Sequence, residues 1–341
     1  MQQVWIPRIG EPEVLEVREA PDPEPGAGQV RVRVEASGIN FADILARMGL
    51  YPDSPKLPAV VGYEVAGVVD GVGEGVESFR DGDRVVGMTR FGGYSDVFCA
   101  PQASVRRIPI NLDFEGAASI PVNYLTAWLM LVRLGNVRSG ERVLVHACAG
   151  GVGLAAVQIC RHFGAEVIGT ASSGKHQRLL EMGVSACIDY RTQDFQEEVK
   201  RLTDGSGVDI ALDAVGGASF RKSYKSLTSF GRLFVFGASS LAPGTKRSWI
   251  SALTGLSKMG SFKPMQLMSH NKGVYGVNLG HLWHRGDELT AMLSEILDLF
   301  ADGTFKPVVD HSFPFIEAAA AHRYIQERKN FGKVILTPDR A

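Results

Sequence analysis

The stretch Val143-Leu144-Val145-His146-Ala147-Cys148-Ala149-Gly150-Gly151-Val152-Gly153-Leu154-Ala155-Ala156 decides the fold. An apolar run of strand length passes through a glycine-rich turn into small residues that suit one face of a helix. In such a turn the backbone at Ala149, Gly150, Gly151 and Val152 comes close enough to meet a pyrophosphate. Gly153 lets helix and strand pack closely, and the uncommitted N–H groups of the helix N-terminus suit an anion. The form is A-x-x-G-x-x-G, which also fits a tight strand-to-helix turn with no ligand. The strand before it and the helix after it favour a dinucleotide.

Working outward, the same alternation continues on the C-terminal side. Strands are predicted at 142–146, 166–170, 186–189, 208–213, 232–236 and 274–277, with helices at 151–163, 175–182 and 195–202 between them. Strands alternating with helices imply a parallel sheet covered on both faces, with ligands at the carboxyl ends of the strands. On the N-terminal side the rhythm is different. Val30-Arg31-Val32-Arg33-Val34 has a period of two, and turn signals recur at Pro21-Asp22-Pro23, Pro25-Gly26, Tyr51-Pro52-Asp53 and Asp81-Gly82-Asp83. The expected layout is a mostly-β domain over 1–124 and a nucleotide-binding domain over 125–265, with an insertion or lid at 238–272. A last strand and helix follow at 273–303, and 304–341 returns to the first domain through a helix at 315–327 and a strand at 333–336.

Length and composition agree with two soluble domains. At 341 residues the chain exceeds the roughly 250–300 at which single cores divide. The 36 Lys and Arg balance 37 Asp and Glu and are dispersed, which leaves no electrostatic footprint for nucleic acid. Cys99, Cys148, Cys160 and Cys187 show neither C-x-x-C spacing nor a disulfide framework, as expected of buried free thiols in a reducing compartment. The N-terminus has no secretory pattern, so a cytoplasmic location is expected. No window reads as a transmembrane helix; Trp249 to Met268 is interrupted by Lys258, Lys263 and Pro264.

An NAD site places Asp or Glu about 20 residues past the glycine turn, to hold the ribose 2′-hydroxyl. Here that place reads Thr170-Ala171-Ser172-Ser173-Gly174-Lys175. Hydroxyls from Ser172 or Ser173 and the charge of Lys175 suit a 2′-phosphate, and hence NADPH; a solvated helix-start lysine is the other reading of Lys175.

Four motifs in order now carry a resemblance over essentially the whole chain. They are Glu35-Ala36-Ser37-Gly38-Ile39-Asn40-Phe41-Ala42-Asp43, Gly62-Tyr63-Glu64-Val65-Ala66-Gly67, Gly82-Asp83-Arg84-Val85 and Ala149-Gly150-Gly151-Val152-Gly153. Together they resemble the medium-chain dehydrogenase/reductase superfamily. The resemblance implies an α/β fold in which a Rossmann domain, a doubly wound parallel sheet, is inserted in a GroES-like mostly-β domain. Val122-Asn123-Tyr124-Leu125-Thr126-Ala127, Ser172 to His176, Ile188-Asp189-Tyr190 and Asn330-Phe331-Gly332-Lys333-Val334 are most similar to the vesicle amine transport protein-1 branch, beside the quinone oxidoreductases.

The zinc-dependent relatives have a cysteine where this chain has Asn40 and a histidine where it has Tyr63, and their four clustered cysteines are absent. Catalytic zinc usually takes three protein ligands, and Glu64 is one. The pair His281 and His284 lacks a third ligand nearby and reads as surface or packing histidines. No metal is therefore expected. Without a Lewis acid, the implied reaction is hydride transfer from NADPH to an electron-poor acceptor, a quinone or α,β-unsaturated carbonyl compound. Binding and orientation are then the protein's main contribution.

The resemblance further implies that Asn40 and Thr126 line the nicotinamide end and that Tyr190 joins Ser172 and Lys175 around the 2′-phosphate. It places Phe236, Gly237 and Ala238 beside the cofactor and makes Arg328 a further phosphate candidate. Tyr51 matches the active-site tyrosine of related quinone and enoyl-thioester reductases; it is either a donor to the acceptor carbonyl or a loop aromatic packed beside Pro52. Two alternatives stay open. One is an enoyl-thioester reductase, with Lys246, Arg247 and Lys258 meeting a phosphopantetheine arm. The other is an NADPH-retaining binding protein whose Trp249 to Met268 stretch makes peripheral membrane contact. A homodimer is expected by analogy with quinone reductases.

Overall fold

The computed structural model describes residues 1–241, 244 and 259–339. These fall into two compact units, one holding 1–125, 244 and 279–339, the other 126–241 and 259–278.

The first unit is a product of strand alternation. Its strands are β1 (Gln2–Ile6), β2 (Glu16–Glu19), β3 (Gln29–Gly38), β4 (Ala59–Val60), β5 (Glu64–Val72), β6 (Arg84–Met88), β7 (Val97–Pro101) and β8 (Val105–Arg107). Along β3, Val30, Val32 and Val34 are buried while Arg31 and Arg33 face outward. The inward valines meet Val65, Val69, Val85, Ala100 and Val105 in one core. Each such side chain contributes roughly 1.5–3 kcal/mol by leaving water. A separate small sheet takes the order β2-β1-β4.

The second unit holds β9 (Arg142–Val145), β10 (Glu166–Ala171), β11 (Ala186–Asp189), β12 (Val208–Asp213), β13 (Leu227–Val235) and β14 (Gly273–Gly276). They form a six-stranded sheet in the order β11-β10-β9-β12-β13-β14, with every neighbouring pair parallel. From β9 the chain steps outward to β10 and β11, then crosses back to β12 and continues the other way. The carboxyl end of β9 is thus the switch point where doubly wound sheets bind ligands. Helix Gly151–His162 follows it directly and buries Leu154, Ala155, Ala156, Val157, Ile159 and Cys160.

Two further strands, β15 (Val309–Pro314) and β16 (Lys333–Thr337), return the chain to the first unit. They are parallel to each other, and β16 runs antiparallel to β3 with Ile335 opposite Gly38 and Leu336 opposite Ser37. The larger sheet then reads β15-β16-β3-β5-β6-β8, with β7 also paired to β3. The expected architecture is found: a parallel α/β unit inserted in a mostly-β one.

Two details differ from the sequence reading. Strand β14 pairs with β13, while helix Gly286–Ala301 groups with the first unit rather than with that strand. It is held there by Arg106 Nε donating to Ser294 Oγ at 3.0 Å and Asn111 Nδ2 donating to the Phe300 carbonyl at 2.9 Å. Strand β13 begins five residues before the expected 232, through a stretch where the register shifts and Phe230 is exposed at φ +66°, so no buried pattern announces it.

Candidate active site

Most of the residues expected at the nucleotide lie in the second unit. Ala149 to Gly153 follow β9, Ser172 and Lys175 follow β10, Tyr190 follows β11, and Phe236, Gly237 and Ala238 follow β13. The parallel sheet therefore gathers these predicted residues along the carboxyl ends of neighbouring strands. Helix Gly151–His162 starts at Gly150 with no side-chain cap. A Cβ on Gly153 would stand 2.5 Å from the Cys148 carbonyl oxygen and 2.6 Å from that of Ala147, so only glycine permits this close crossing of turn and helix. Thr126 lies buried in helix Pro121–Trp128, away from the strand ends in sequence but in the same unit. Arg328 belongs to the first unit, just beyond helix Ala318–Gln326 at φ +55°.

A buried polar network braces these strand ends. His146 Nδ1 lies 3.1 Å from Thr170 Oγ1 at the end of β10, and its Nε2 lies 3.0 Å from Ser223 Oγ. Ser219 and Ser223 donate to Asp213 Oδ2 at 2.7 Å each, and the Val215 N–H donates to Oδ1 at 2.8 Å. With the Ser223 proton committed to Asp213, Ser223 accepts from Nε2–H and Thr170 donates to Nδ1, which sets a neutral tautomer. Burial pushes the His146 pKa down, against the opposing pull of Asp213.

The sequence reading found no carboxylate near Ser172, and the structure supplies one from the next strand. Asp189 ends β11 opposite Ala171. The Arg191 N–H and the hydroxyl and N–H of Ser173 hold its carboxyl below the usual range. Asp189 is thus spent on ordering the 172–175 turn. Its pairing across parallel strands, unlike the spacing along one strand, left no linear signal.

The second group of site residues lies in the first unit. Glu64, fully buried at the start of β5, has both oxygens committed. Its Oε1 accepts from the Lys333 ammonium and from Asn40 Nδ2 at 3.0 Å, and its Oε2 accepts from the Val122 N–H at 2.7 Å. Lys333 also donates to Asn40 Oδ1 at 2.7 Å. The Asn40 amide is therefore clamped at both ends, which fixes its orientation. Gly38 makes the packing possible: a Cβ there would stand 2.5 Å from Glu64 Oε1 and 2.6 Å from Lys333 Cε. Glu64 was weighed in sequence only as a metal ligand and Lys333 carried no expected role; the ion pair joins positions 269 residues apart.

Behind Asn40 lies Asp43, also fully buried. It accepts from the N–H groups of Asn40 at 2.8 Å and Gly62 at 3.1 Å and from the Tyr94 hydroxyl at 3.1 Å. Burial nevertheless pushes its pKa up to about 7. Tyr94 Oη in turn lies 3.3 Å from His322 Nε2.

Tyr51 packs half-buried against the cluster of Ile39, Ala46, Val61 and Tyr94. Tyr63 is 7% exposed, its ring tilted against Phe91 at 5.5 Å. The Tyr63 hydroxyl is buried without a hydrogen bond of good geometry. Burial first, then Asp43 and Tyr51, push its pKa upward.

The donor set at this point is a carboxylate already neutralised by an ammonium, an amide held at both ends, and a phenol. That set does not fit zinc, whose ligands are thiolate, imidazole or an available carboxylate. Elsewhere, His281 Nε2 lies 2.8 Å from Asp53 Oδ2. Among the described residues no three His, Cys, Asp or Glu side chains are grouped to hold a metal ion, and no helix is long and apolar enough to cross a membrane.

Comparison with known proteins adds the following. The family model described as alcohol dehydrogenase GroES-like domain matches residues 26–110, and that described as zinc-binding dehydrogenase matches residues 182–336. The synaptic vesicle membrane protein VAT-1 homolog of Rattus norvegicus is 42% identical over 325 residues, 95% of this chain and 80% of that protein. The crystal structure of Escherichia coli quinone oxidoreductase complexed with NADPH superposes with a TM-score of 0.87 at 31% identity, covering 99% of this chain and 100% of the other. The CurK enoyl reductase structure gives 0.86 at 30% identity, covering 99% of each chain.

Proposed function

We propose, since the chain belongs to the medium-chain dehydrogenase/reductase superfamily and within it to the branch of the VAT-1 homologues, that it is a zinc-independent, NADPH-dependent reductase of quinones or α,β-unsaturated carbonyl compounds. The observation that carries the reading is Lys333. An ammonium group neutralises Glu64 and orients Asn40 where zinc-dependent relatives place a metal ligand. An ammonium held in this way has no open coordination position with which to polarise an alcohol or aldehyde oxygen. The acceptor must then already be electron-poor, as a quinone or enone is.

The residues present fit NADPH. The Gly153 crossing leaves an uncapped helix N-terminus at the switch point, which favours an anionic pyrophosphate. Ser172, Lys175 and Tyr190 follow the adjacent strands β10 and β11 and in this reading receive the 2′-phosphate, while Asp189, the nearby carboxylate, is engaged with Ser173. When bound, NADPH supplies the hydride. The chain's own contributions are orientation by Asn40 and Thr126, and a hydrogen bond or proton from Tyr51 to the acceptor oxygen as charge develops there.

The reading is tested by NADPH oxidation against a panel of quinones, enones and enoyl thioesters. Turnover with quinones or enones is expected, together with less than one zinc per several chains by mass spectrometry. Stoichiometric zinc sinks the metal-free reading, and no turnover with any acceptor favours an NADPH-retaining binding protein. The likeness to the CurK enoyl reductase supports a second reading, an enoyl-thioester acceptor. Lys246, Arg247 and Lys258, on which that reading would draw, lie outside the described residues, as does much of the Trp249 to Met268 stretch. The homodimer in this reading pairs the edge strand β14 of two copies, an arrangement that sedimentation analysis checks.

A further inference from the structure

Asp213 ends β12 fully buried, and no lysine or arginine among the described residues pairs with it. The basic side chain within reach is His146, whose Nε2 lies 3.8 Å from Oδ2. A carboxylate buried without a cation is costly unless hydrogen bonds replace its hydration. Here Oδ1 accepts from the N–H groups of Val215 at 2.8 Å and Gly216 at 3.3 Å, and Oδ2 accepts from the hydroxyls of Ser219 and Ser223 at 2.7 Å each. These bonds fill the lone pairs of both oxygens. The donors belong to the turn that leaves β12 and to helix Ala218–Lys225, which follows it. The turn is tight, with Gly216 at φ +81° and Gly217 at φ +61°, a region that glycine enters at little cost. It also carries the chain that leaves β13: the Ala214 and Val215 carbonyls accept from the N–H groups of Ser239 at 3.0 Å and Ser240 at 2.9 Å. A Cβ on Gly237 would stand 3.1 Å from the Ala214 carbonyl oxygen, and one on Gly216 would stand 3.1 Å from Ala238 Cα. One side chain therefore orders the 214–217 turn directly and the 236–240 segment through it.

We infer that Asp213 is a positioning residue for the nicotinamide half of NADPH, holding the 214–217 turn through Oδ1 and, on the carbonyls of that turn, the 236–240 segment. The inference rests on the cofactor of the reading above and is independent of the acceptor. A dinucleotide lies across the point where the strand order reverses, with one mononucleotide on each side. The 2′-phosphate candidates Ser172, Lys175 and Tyr190 follow β10 and β11, so the adenosine half takes that side. The nicotinamide half then falls to β12 and β13, and the segments leaving those two strands are the ones that Asp213 ties together. Its Oδ2, bonded to Ser219 and Ser223, anchors the arrangement to helix Ala218–Lys225.

The experiment uses the full chain with Asp213→Ala, Asp213→Asn and Gly216→Ala. Two ligands are titrated, NADPH by fluorescence and adenosine 2′,5′-bisphosphate by calorimetry; the second has the 2′-phosphate and lacks the nicotinamide half. Asp213→Ala is expected to weaken NADPH at least about tenfold and to leave the bisphosphate within about twofold of wild type. Asp213→Asn keeps an oxygen for the Val215 and Gly216 N–H groups and is expected to hold NADPH within about threefold of wild type. Gly216→Ala leaves the carboxylate in place but presses a methyl onto Ala238, so it shows the same split between the ligands even where Asp213→Ala does not fold. Parallel weakening of both ligands, as a merely structural role would give, or unchanged NADPH affinity overturns the assignment. Hydrogen exchange without cofactor gives an independent readout. In Asp213→Ala the Ser239 and Ser240 amides are expected to exchange at least about tenfold faster relative to those of Leu144 and Ile168, and an unchanged ratio overturns the inference. A wild type that binds NADPH and reduces no acceptor would fail the reductase reading alone and leave these measurements to decide this one.

Discussion

Replacing Lys333 by Met tests the centre of the first unit most directly. The substitution keeps the length and most of the volume of the side chain, so the principal change is the loss of the ammonium. Glu64 would then stay fully buried with Oε1 served by Asn40 alone and Oε2 by the Val122 N–H. Two unit charges about 4 Å apart interact by about 4 kcal/mol at an effective dielectric of 20. Removing one partner of a buried pair typically costs about 3–5 kcal/mol. For a unit of roughly this size that corresponds to a melting temperature lower by about 6–20 °C. Glu64→Gln should cost a similar amount, since it strands the ammonium instead. The double variant Glu64→Gln with Lys333→Met leaves neither charge behind and should recover at least about 2 kcal/mol relative to the sum of the singles. Scanning calorimetry on the four proteins measures the cycle. Single variants melting within about 2 °C of wild type, or a double variant showing the full sum, would refute the account of Lys333 as the counter-charge of Glu64.

Other outcomes follow from individual residues. Asp43 binds its proton more readily folded, at about 7, than at its ordinary 3.8. The stability it contributes is full below about pH 4, declines as pH rises to about 7 and is level above; the loss is on the order of 4 kcal/mol. Asp43→Asn should flatten that part of the melting-temperature profile, and profiles that stay parallel would count against the buried proton. Gly153→Ala drives a methyl into the Cys148 and Ala147 carbonyls, at a cost of about 1–3 kcal/mol or more, and should weaken NADPH binding in a fluorescence titration; unchanged affinity would remove the close crossing from the cofactor account. NADPH is expected to bind at least about tenfold more tightly than NADH, and Lys175→Ala with Ser172→Ala should erase most of that preference; equal dissociation constants in the wild type would end the 2′-phosphate assignment.

The parts of the fold that were legible in sequence are those whose pattern is local. The alternation of Val30, Val32 and Val34, the strand–turn–helix around Gly150, and the run of short apolar strands each carry their own period. Strand β13 shows the limit, because Leu227 to Gly231 enter it with shifted register and an exposed Phe230. Helix Gly286–Ala301 was assigned by its neighbour in sequence, whereas Arg106 and Asn111 decide where it packs. Asn40, Ser172 and Lys175 are proposed for the site from motif position. Lys333 and Asp189 were missed as chemistry because their partners come from other strands of a sheet, and pairing register is not written in either segment alone. Tyr63 was noticed only as a departure from a ligand pattern; its buried hydroxyl is a fact of packing.

The route of the chain through β16 has a consequence for biosynthesis. Strands β9 to β14 are consecutive along the polypeptide, so the inserted sheet is complete once residue 276 has left the ribosome. The surrounding unit begins earlier and finishes later: β1 to β8 emerge before the insert, but β15 and β16 emerge only after it. Until then, the pocket around Glu64 has its anion and lacks its cation. The nascent first half holds a carboxylate it cannot bury at low cost, so closure of that unit is expected to wait until β16 has been made.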